Sequence, residues 1–360
     1  MRPTVHDIAA EAGVSLATVD RVLNARAGVR SETRLRVQAA VERLGYVRDV
    51  AAANLAKSRI YPIRFILPSG DNPFMRALEA HVRQVGNPAL RPGGLERVAV
   101  SLDCVPPLDA PALAAALIKA GEDEPAGIAV VAVEAPEVAA AVRTLQARGI
   151  PVATLVSDLP ASGRNHFAGI DNMAAGRTAG GLMRRFLSGS RGAVAVIAGS
   201  LSLRDHRERL DGFAQALREA GEGLTLLPVL EGEDDPAKVE ALAKRLLAEQ
   251  PDLAGIYSLG AGDRGLVRAL AQTKMPRPQA VVVHELSDHT RQALEEGLVD
   301  AVLAQDPGHI ARSAVRVLRA FADGLVFDPA QERIRIDIFL KDNLPPARQA
   351  LSDPHLPTGE

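Results

Sequence analysis

The chain has 360 residues, 47% of them apolar, which is enough for two or three domains with a core that needs no disulfides. Its single cysteine, Cys104, excludes a disulfide framework and a cysteine-based zinc cluster. Because Cys104 lies in the apolar run VAVSLDCV, we expect an inert, buried thiol. With no uncharged apolar run of about 18 residues and no signal-peptide core, the chain is expected to be cytoplasmic and to make no membrane contact.

Residues 4–24, TVHDIAAEAGVSLATVDRVLN, predict two short helices joined by a tight turn. Thr4 can cap the first helix in a capping box with Asp7, Gly13 can end it, and Ser15 can cap the second. The inward-facing positions are Ile8, Ala9, Ala12, Val19, Val22 and Leu23. The outward stripe of the second helix consists of Leu16, Ala17, Asp20 and Arg21. Such a stripe fits the DNA major groove, and an ordinary helical hairpin is the alternative.

The stretch VRSETRLRVQAAVERLGYV predicts a third helix, capped by Ser31 and ended by Gly45. Its expected inner face consists of Leu35, Ala39, Val41 and Leu44. Residues 1–60 hold ten basic and six acidic side chains, a net charge of +4, whereas the whole chain carries −2. The positive charge therefore lies with the helices that would meet phosphates.

The segments TVHDIAAEAGVS, ATVDRVLN, RSETRLRV and GYV resemble, in order and spacing, the headpiece of the LacI family of bacterial transcription regulators. The resemblance implies a DNA-binding headpiece over residues 1–47, in which Leu16, Ala17 and Arg21 contact base edges and Arg21 recognises guanine. The residues expected to complete the interface, mainly at phosphates, are Thr4, Ser15, Thr18, Asn24, Ser31 and Thr33. Asp20 departs from the family's small hydroxyl residue, so we expect it to accept from a cytosine amino group or to pair with an arginine.

Residues 48–60 are alanine-rich and favour a short helix that is marginal in water by itself. The resemblance implies a hinge helix that forms when two copies meet over the operator. Leu55 would then wedge into the central minor groove, with Asn54 and Lys57 contacting the groove or phosphates. A flexible linker is the alternative. Arg48 and Asp49 stand where Pro-Asn is usual in the family, which leaves the turn into the hinge open.

From residue 61 to 340, apolar strand-like runs alternate with helical segments, which predicts an α/β fold of doubly wound parallel sheets. The resemblance here is to the family's effector domain and to sugar-binding proteins of ribose-type uptake systems. It implies two lobes around a cleft, lobe 1 at about 61–160 and 290–323 and lobe 2 at about 161–288 and 324–340. Residues 341–360 form a proline-rich tail without heptads, which favours a dimer over a tetramer.

Ligands of such sheets bind at the carboxyl ends of the strands. Local motifs that match the family's effector site are Asn72, Phe74, Ser157, Asp158, Asp171, Asn172, Arg209, Glu285 and Gln305, with Tyr257 and His284 as further candidates and Gly260 in place of a sugar-binding asparagine. Charged side chains would bind hydroxyl groups and Phe74 would cover the apolar face of a sugar ring. Taken singly, each carboxylate could instead be a solvated loop residue.

Residues 260–265, GAGDRG, match the dinucleotide-binding pattern G-x-G-x-x-G, and Glu285 follows Gly265 by twenty residues. This motif makes an NAD(P)-binding redox sensor or dehydrogenase the second hypothesis. A sugar-binding module that never contacts DNA is the third. The glycines could alternatively leave room for a bulky or phosphorylated effector near a helix start. The sequence offers no convincing catalytic set and no HExxH motif, so no catalytic residue, metal or cofactor is predicted.

The first hypothesis is a regulator, not an enzyme, that binds a palindromic operator as a homodimer, since one headpiece contacts only a half-site. A small effector, expected to be a sugar or sugar derivative, would control operator affinity by closing the cleft.

Overall fold

The computed structural model describes residues 3–23, 26–46, 60–87, 97–219, 223–260 and 262–346, which fall into two compact units divided between Arg59 and Ile60. Asn24 and the hinge residues Asn54, Leu55 and Lys57 lie outside the described residues.

The amino-terminal unit contains three helices, α1 (Val5–Ala12), α2 (Leu16–Leu23) and α3 (Ser31–Leu44). The predicted capping box is confirmed, since the Thr4 hydroxyl accepts from the Asp7 amide and the Asp7 carboxylate accepts from the Thr4 amide. Gly13 ends α1 in the left-handed conformation at φ 61°, as predicted. Six buried residues form the core of this unit: Ile8, Ala9, Ala12, Val19, Val37 and Ala40.

Two predictions for α3 are wrong. The N-cap is Arg30 rather than Ser31, and it makes no side-chain capping bond. In the predicted inner face, Leu35 is 66% exposed and Ala39 is also exposed, whereas Val41 and Leu44 pack against the core as predicted. The buried residues of α3 are Val37 and Ala40. The sequence of α3 has apolar residues on more than one face, and the stripe that packs on α1 lies about half a turn away from Leu35.

The second unit begins with lobe 1, whose sheet has the order β2-β1-β3-β4-β5 with all neighbouring strands parallel. Its strands are β1 (Ile60–Pro68), β2 (Arg97–Val105), β3 (Gly127–Val130), β4 (Val152–Leu155) and β5 (His166–Ala168). The helices between them are α4 (Pro73–Gly86), α5 (Ala110–Ala120) and α6 (Pro136–Ala147). A short 3-10 helix spans Pro160–Ser162.

Lobe 2 contains a second sheet of order β12-β11-β10-β9-β6-β7, in which β8 also pairs with β6 and β12 is antiparallel to β11. Its strands are β6 (Gly192–Ala198), β7 (Leu224–Leu226), β8 (Leu230–Glu231), β9 (Leu253–Ser258), β10 (Ala280–His284), β11 (Ala301–Ala304) and β12 (Asp337–Phe339). The remaining helices are α7 (Asn172–Phe186), α8 (Arg204–Arg218), α9 (Pro236–Glu249), α10 (Asp263–Gln272), α11 (Asp288–Glu295) and α12 (Pro307–Asp323). A 3-10 helix at Lys341–Asn343 follows β12.

The chain crosses between the lobes at other points than the sequence suggests. Strand β5 belongs to the sheet of lobe 1 and β11 to that of lobe 2, so the first two crossings lie at 169–171 and 305–306 rather than near 161 and 290. Helix α12 packs on the sheet of lobe 1 before the chain returns to β12. All these strands are short apolar runs, so their local sequence does not tell which sheet each one joins.

Alternate side chains of the strands enter different cores, so each sheet is covered on both faces. In β1, Ile66 joins one apolar cluster of lobe 1, while Phe65 joins the cluster that runs on into lobe 2. The prediction of a buried Cys104 is wrong: β2 is an edge strand and the thiol is exposed. Within the described residues, no helix has the length and apolar character needed to span a membrane.

Candidate DNA-binding surface and effector cleft

The predicted stripe on α2 is exposed. Leu16, Ala17, Asp20 and Arg21 all face solvent, whereas Val19 on the opposite side of the helix is buried. Leu16 and Ala17 offer apolar side chains, which can contact thymine methyl groups in the major groove. Arg21 offers a guanidinium group, which can bind guanine there.

Asp20, the departure from the family pattern, pairs with an arginine of its own chain. Its carboxylate lies 3.3 Å from Nη1 of Arg26, and both side chains are exposed. This pairing reduces the repulsion that an isolated carboxylate would exert on a phosphate.

The hydroxyl groups predicted to contact phosphates differ in the hydrogen bonds that they form within the protein. Ser15 and Thr18 share a hydrogen bond of 2.9 Å, and the Ser15 oxygen also accepts from the Thr18 amide, so Ser15 caps α2 as predicted. The Thr4 hydroxyl donates to Asp7 within the capping box. Ser31 is exposed and Thr33 half-buried on the first turn of α3.

Arg36 on α3 has a structural role that no local sequence pattern indicates. Its Nη2 donates to the carbonyl oxygens of Ala12 and Gly13, the residues at which α1 ends. These bonds satisfy carbonyl groups that have no hydrogen-bond partner within α1, and they hold in place the turn that orients α2.

In the second unit, the polar residues gather around Arg209 on α8, which is 2% exposed. Its Nε donates to Oδ1 of Asn172 at 2.9 Å, and its Nη1 donates to the carbonyl oxygen of Leu259 at 2.6 Å. Both acceptors are neutral, so these two bonds hold the guanidinium in place without neutralising its charge.

The third nitrogen of Arg209, Nη2, has no hydrogen-bond partner in the described part of the chain although it is buried. Two carboxylates approach it without reaching hydrogen-bonding distance: Oδ2 of Asp205 at 3.9 Å and Oε1 of Glu285 at 4.0 Å. Glu285 also accepts from the amide of Gln305 at 3.0 Å. We call Asn172, Asp205, Arg209, Glu285 and Gln305 the arginine cluster.

Several further polar atoms near the strand ends are buried and have no partner among the residues that the structure describes. They are Oγ of Ser157, Oδ1 of Asp205, Nδ1 of His284 and Oε1 of Gln305. Buried polar groups are normally hydrogen-bonded, and a set of open ones is typical of a ligand site. Ser157, His284 and Gln305 lie at or just after the carboxyl ends of β4, β10 and β11, where ligands of doubly wound sheets bind.

Two strand ends carry backbone conformations that side chains rarely adopt. Val156, after β4, has φ 63° and Glu285, after β10, has φ 66°. A β-branched residue at positive φ is especially costly, and such strain is concentrated at ligand sites. These bends present Ser157 and the Glu285 carboxylate at the ends of their strands.

Burial changes the ionisation of the groups around the cluster. It raises the pKa of Glu285 to about 7, against the attraction of Arg209 and the hydrogen bond from Gln305. Burial also raises the pKa of Asp263 to about 7, although Ser258 donates a hydrogen bond to this carboxylate. The pKa of His284 is well below its usual value because of burial and the nearby Arg209, so this imidazole is neutral.

Tyr257, a further candidate for contact with the effector, lies in the core beneath the site. It is fully buried, its hydroxyl forms a 2.7 Å hydrogen bond with Nε2 of His284, and its ring stacks on Phe213 at 4.4 Å. Tyr257 thus positions His284.

The other predicted ligand residues already have partners within the protein. Asn72 caps α4, and Phe74 packs partly buried against the central core. Although burial opposes its ionisation, hydrogen bonds from Arg164 and Thr154 hold the pKa of Asp158 below the usual value. Asp171 is exposed and caps α7.

The glycines of GAGDRG serve the packing of the protein. Gly262 has φ 71°, and a Cβ on Gly265 would collide with the carbonyl oxygen of Pro236, so α10 lies directly on the start of α9. At Gly260, with φ 109°, a Cβ would lie 3.0 Å from Cβ of His284 and 3.1 Å from Nη1 of Arg209. A side chain at position 260 would therefore press on His284 and Arg209, and room for a larger ligand beside Gly260 stays a prediction.

The same segment is poorly suited to a pyrophosphate. The Gly262 amide donates to Oδ1 of Asp234, and Asp263 occupies the first turn of α10. Two carboxylates thus stand where the dinucleotide-binding motif would place an anion, which they would repel.

Asn172 and Asp205 both belong to the arginine cluster, but only Asn172 was among the predicted ligand residues. Asp205 precedes Arg209 by four residues, so helical spacing places both on one face of α8. Asn172 directly follows the predicted Asp171.

Side chains of the two lobes contact each other across the cleft. Glu134, after β3 of lobe 1, forms ion pairs with Arg204 (3.2 Å) and Arg207 on α8 of lobe 2, a group that we call the interlobe bridge. The Asn72 amide of lobe 1 also donates to Asp234 of lobe 2 at 2.7 Å. The lobes are thus joined by polar contacts at the rim of the site.

A three-helix DNA-binding unit joined to a two-lobed ligand-binding domain defines the class of ligand-responsive DNA-binding proteins. Comparison with known families agrees. Residues 4–49 match the family described as "Bacterial regulatory proteins, lacI family", and residues 63–325 match the "Periplasmic binding protein domain". The chain belongs to the LacI family and is a DNA-binding transcriptional regulator with an effector domain of this type.

Relatives support this assignment over most of the chain. The HTH-type transcriptional regulator GntR of Pseudomonas aeruginosa is 30% identical over 265 residues, 71% of each chain. The regulator DegA of Bacillus subtilis is 27% identical over 221 residues, 61% of this chain but only 62% of DegA, less than two thirds. The ribose operon repressor of Bacillus subtilis is 44% identical over 75 residues, 21% of this chain and 23% of the repressor.

Solved structures share the fold of the second unit. GanP, a glucose-galactose binding protein from Geobacillus stearothermophilus, has a TM-score of 0.70 at 22% identity, covering 80% of this chain and 99% of GanP. A solute-binding protein from Burkholderia graminis in complex with D-arabinose has a TM-score of 0.69 at 23% identity, covering 78% and 96%.

Proposed function

We propose that the protein is a homodimeric transcriptional repressor whose affinity for a palindromic operator is controlled by a small, carbohydrate-like effector bound at the arginine cluster. The observation that carries the proposal is the buried, unpartnered Nη2 of Arg209 at the strand ends of a chain that also bears an exposed recognition helix. Similarity to a glucose-galactose binding protein, to a solute-binding protein in complex with D-arabinose and to a ribose operon repressor supports a carbohydrate.

The headpiece, residues 1–47, contacts the major groove with Leu16, Ala17 and Arg21. Residues 48–60 form the hinge, in which Leu55 contacts the central minor groove. The effector domain spans residues 61–340, with the lobe crossings given above, and residues 341–360 are a tail. We place the repressor in the cytoplasm at the nucleoid and assign it no catalytic activity, metal or cofactor.

The effector acts by its different affinity for the open and closed forms of the cleft. It bonds to the open polar atoms of the arginine cluster in lobe 2, and it reaches the open Ser157 hydroxyl of lobe 1 only when the lobes are together, so binding favours closure. Closure shifts lobe 1 of each protomer, and with it the spacing of the two hinges. By linkage, operator affinity changes by the same factor as effector affinity.

Selection of bound sequences from random DNA, followed by titration of the full-length protein, tests the DNA-binding proposal. We expect a palindrome, and we expect Arg21→Ala to reduce discrimination between operator and random DNA by about tenfold or more, since a good bidentate base contact contributes about 1–3 kcal/mol. Arg245→Ala, an exposed arginine on α9, is the control. Equal discrimination by both variants, or binding without sequence preference, would contradict the proposal.

A further inference from the structure

The arginine cluster contains more negative than positive groups. The guanidinium of Arg209 faces two carboxylates, Asp205 and Glu285, and both of its engaged nitrogens bond to neutral acceptors. Asp263 adds a third carboxyl group close enough to interact with Glu285 and Arg209. A ligand that brought a further negative charge would have to overcome this excess.

The other basic side chains near the cleft already have partners outside the arginine cluster. Arg204 and Arg207 belong to the interlobe bridge with Glu134, and Arg204 also pairs with Glu208 on its own helix. His206 is buried, and its Nδ1 accepts from the amides of Gly199 and Ser200, so burial lowers its pKa and favours the neutral form. The excess of carboxylates is therefore not balanced by the neighbouring side chains that the structure describes.

The open hydrogen-bonding positions also favour a ligand that brings donors and a positive charge. Asp205 and Gln305 are 5% and 4% exposed, and each presents an oxygen with no donor within the described residues. Arg209 Nη2 is open as well and can only donate, while the open Ser157 hydroxyl can donate or accept. The site therefore needs a ligand that donates to at least two acceptors, one of them a carboxylate, and accepts from one donor.

We propose that the effector is a cationic polyol, a polyhydroxylated compound with a protonated amine, whose ammonium group binds Asp205 and Glu285 while a hydroxyl group accepts from Arg209. This inference rests on the proposed function, since it concerns the ligand of the same cleft. An ammonium supplies up to three donors and the missing positive charge. Burial raises the pKa of Glu285 to about 7, and an ammonium group bound beside this carboxylate would favour its ionised form.

Matched compounds on one skeleton test the inference with the full-length protein. Thermal shift and calorimetry would compare D-glucosamine, D-galactosamine and D-mannosamine with the parent hexoses and their 6-phosphates, and 1-deoxynojirimycin would serve as a cyclic amine. We expect at least one amine to bind tenfold or more tightly than its neutral parent, and the phosphates to bind least. A neutral or phosphorylated compound that binds more tightly than its amine, or the absence of binding by every amine, overturns the inference.

Asp205→Asn tests the effect of the carboxylate charge on ligand affinity, because the amide keeps the size of the side chain. The variant should lose about tenfold in affinity for the amine while the affinity for a neutral hexose changes much less. Asp211→Asn on the exposed side of α8 is the control and should change neither. An equal loss for amine and neutral compound overturns the inference. Operator binding without ligand, measured in parallel, reports separately on the proposed function and on folding.

Discussion

At the scale of single residues, Arg209 determines what the cleft can bind. Two of its nitrogens are held by Asn172 and Leu259, so the third is fixed in direction before a ligand arrives. A preorganised donor loses little entropy on binding, and the planar guanidinium places its donors at fixed angles. Lysine has the same charge but cannot bond in three directions within one plane.

Arg209→Lys should therefore reduce effector affinity by roughly tenfold to 100-fold, since a hydrogen bond to a charged group contributes about 1.5–3 kcal/mol. Operator binding in the absence of effector should persist, because the headpiece is a separate unit. Calorimetry and operator titration would measure the two effects, with Arg245→Lys as the control. Unchanged effector affinity would show that Arg209 does not contact the ligand.

Glu285 should make stability depend on pH. Its pKa is about 7 in the folded protein, against the ordinary glutamate value of 4.5 in the unfolded chain, so the folded protein retains a proton that the unfolded chain releases. The free energy of unfolding should therefore fall between about pH 5 and pH 8, by about 3 kcal/mol for this residue. Denaturant titrations should show a flatter pH profile for Glu285→Gln, whereas Glu249→Gln, an exposed control, should retain the slope. If Glu285→Gln retains the wild-type slope, Glu285 is not the source of this pH dependence of stability.

At the scale of elements, the sequence predicts the structure well where local chemistry determines it. The capping box of Thr4 and Asp7, the left-handed Gly13 and the outward stripe of α2 follow from a few neighbouring residues. The prediction for the inner face of α3 is confirmed for Val41 and Leu44, which pack against the core, and wrong for Leu35 and Ala39. Leu35 competes with Val37, and only packing against α1 decides between them. The bond from Arg36 to the end of α1 joins distant positions, and no local pattern indicates it.

Gly13→Ala should destabilise the headpiece more than Gly45→Ala. Both glycines end helices, at φ 61° and φ 60°, so both variants incur a left-handed penalty of about 1–2 kcal/mol. Only at Gly13 does the new Cβ also come within 3.0 Å of Arg36 Nη2, whereas nothing lies within 4 Å at Gly45. Hydrogen exchange in the full-length protein should show greater loss of protection in α1 and α2 for Gly13→Ala. Equal losses would exclude a role for the Arg36 contact.

At the scale of the whole molecule, the cleft joins residues that are far apart in the sequence. Arg209 and Gln305 were predicted from local motifs and are brought close to each other through Glu285. Asp158 matched a motif equally well, yet it bonds to Arg164 within lobe 1. The partner of a charged side chain depends on which loops the fold places beside it, so the sequence predicted the region of the site better than its members.

The interlobe bridge should set how readily the cleft closes. Glu134 pairs with Arg204 and Arg207 across the lobes, and all three side chains are about one third exposed, so the bridge contributes about 0.5–1 kcal/mol to the closed form. Glu134→Gln should therefore reduce effector affinity about two- to fivefold and shift ligand-free small-angle scattering toward a larger radius of gyration. Glu137→Gln, an exposed residue on the first turn of α6, is the matched control. High salt should weaken effector binding of the wild type more than of Glu134→Gln, because screening removes the bridge that the variant already lacks. If salt affects both proteins equally and their scattering profiles coincide, these ion pairs do not stabilise closure.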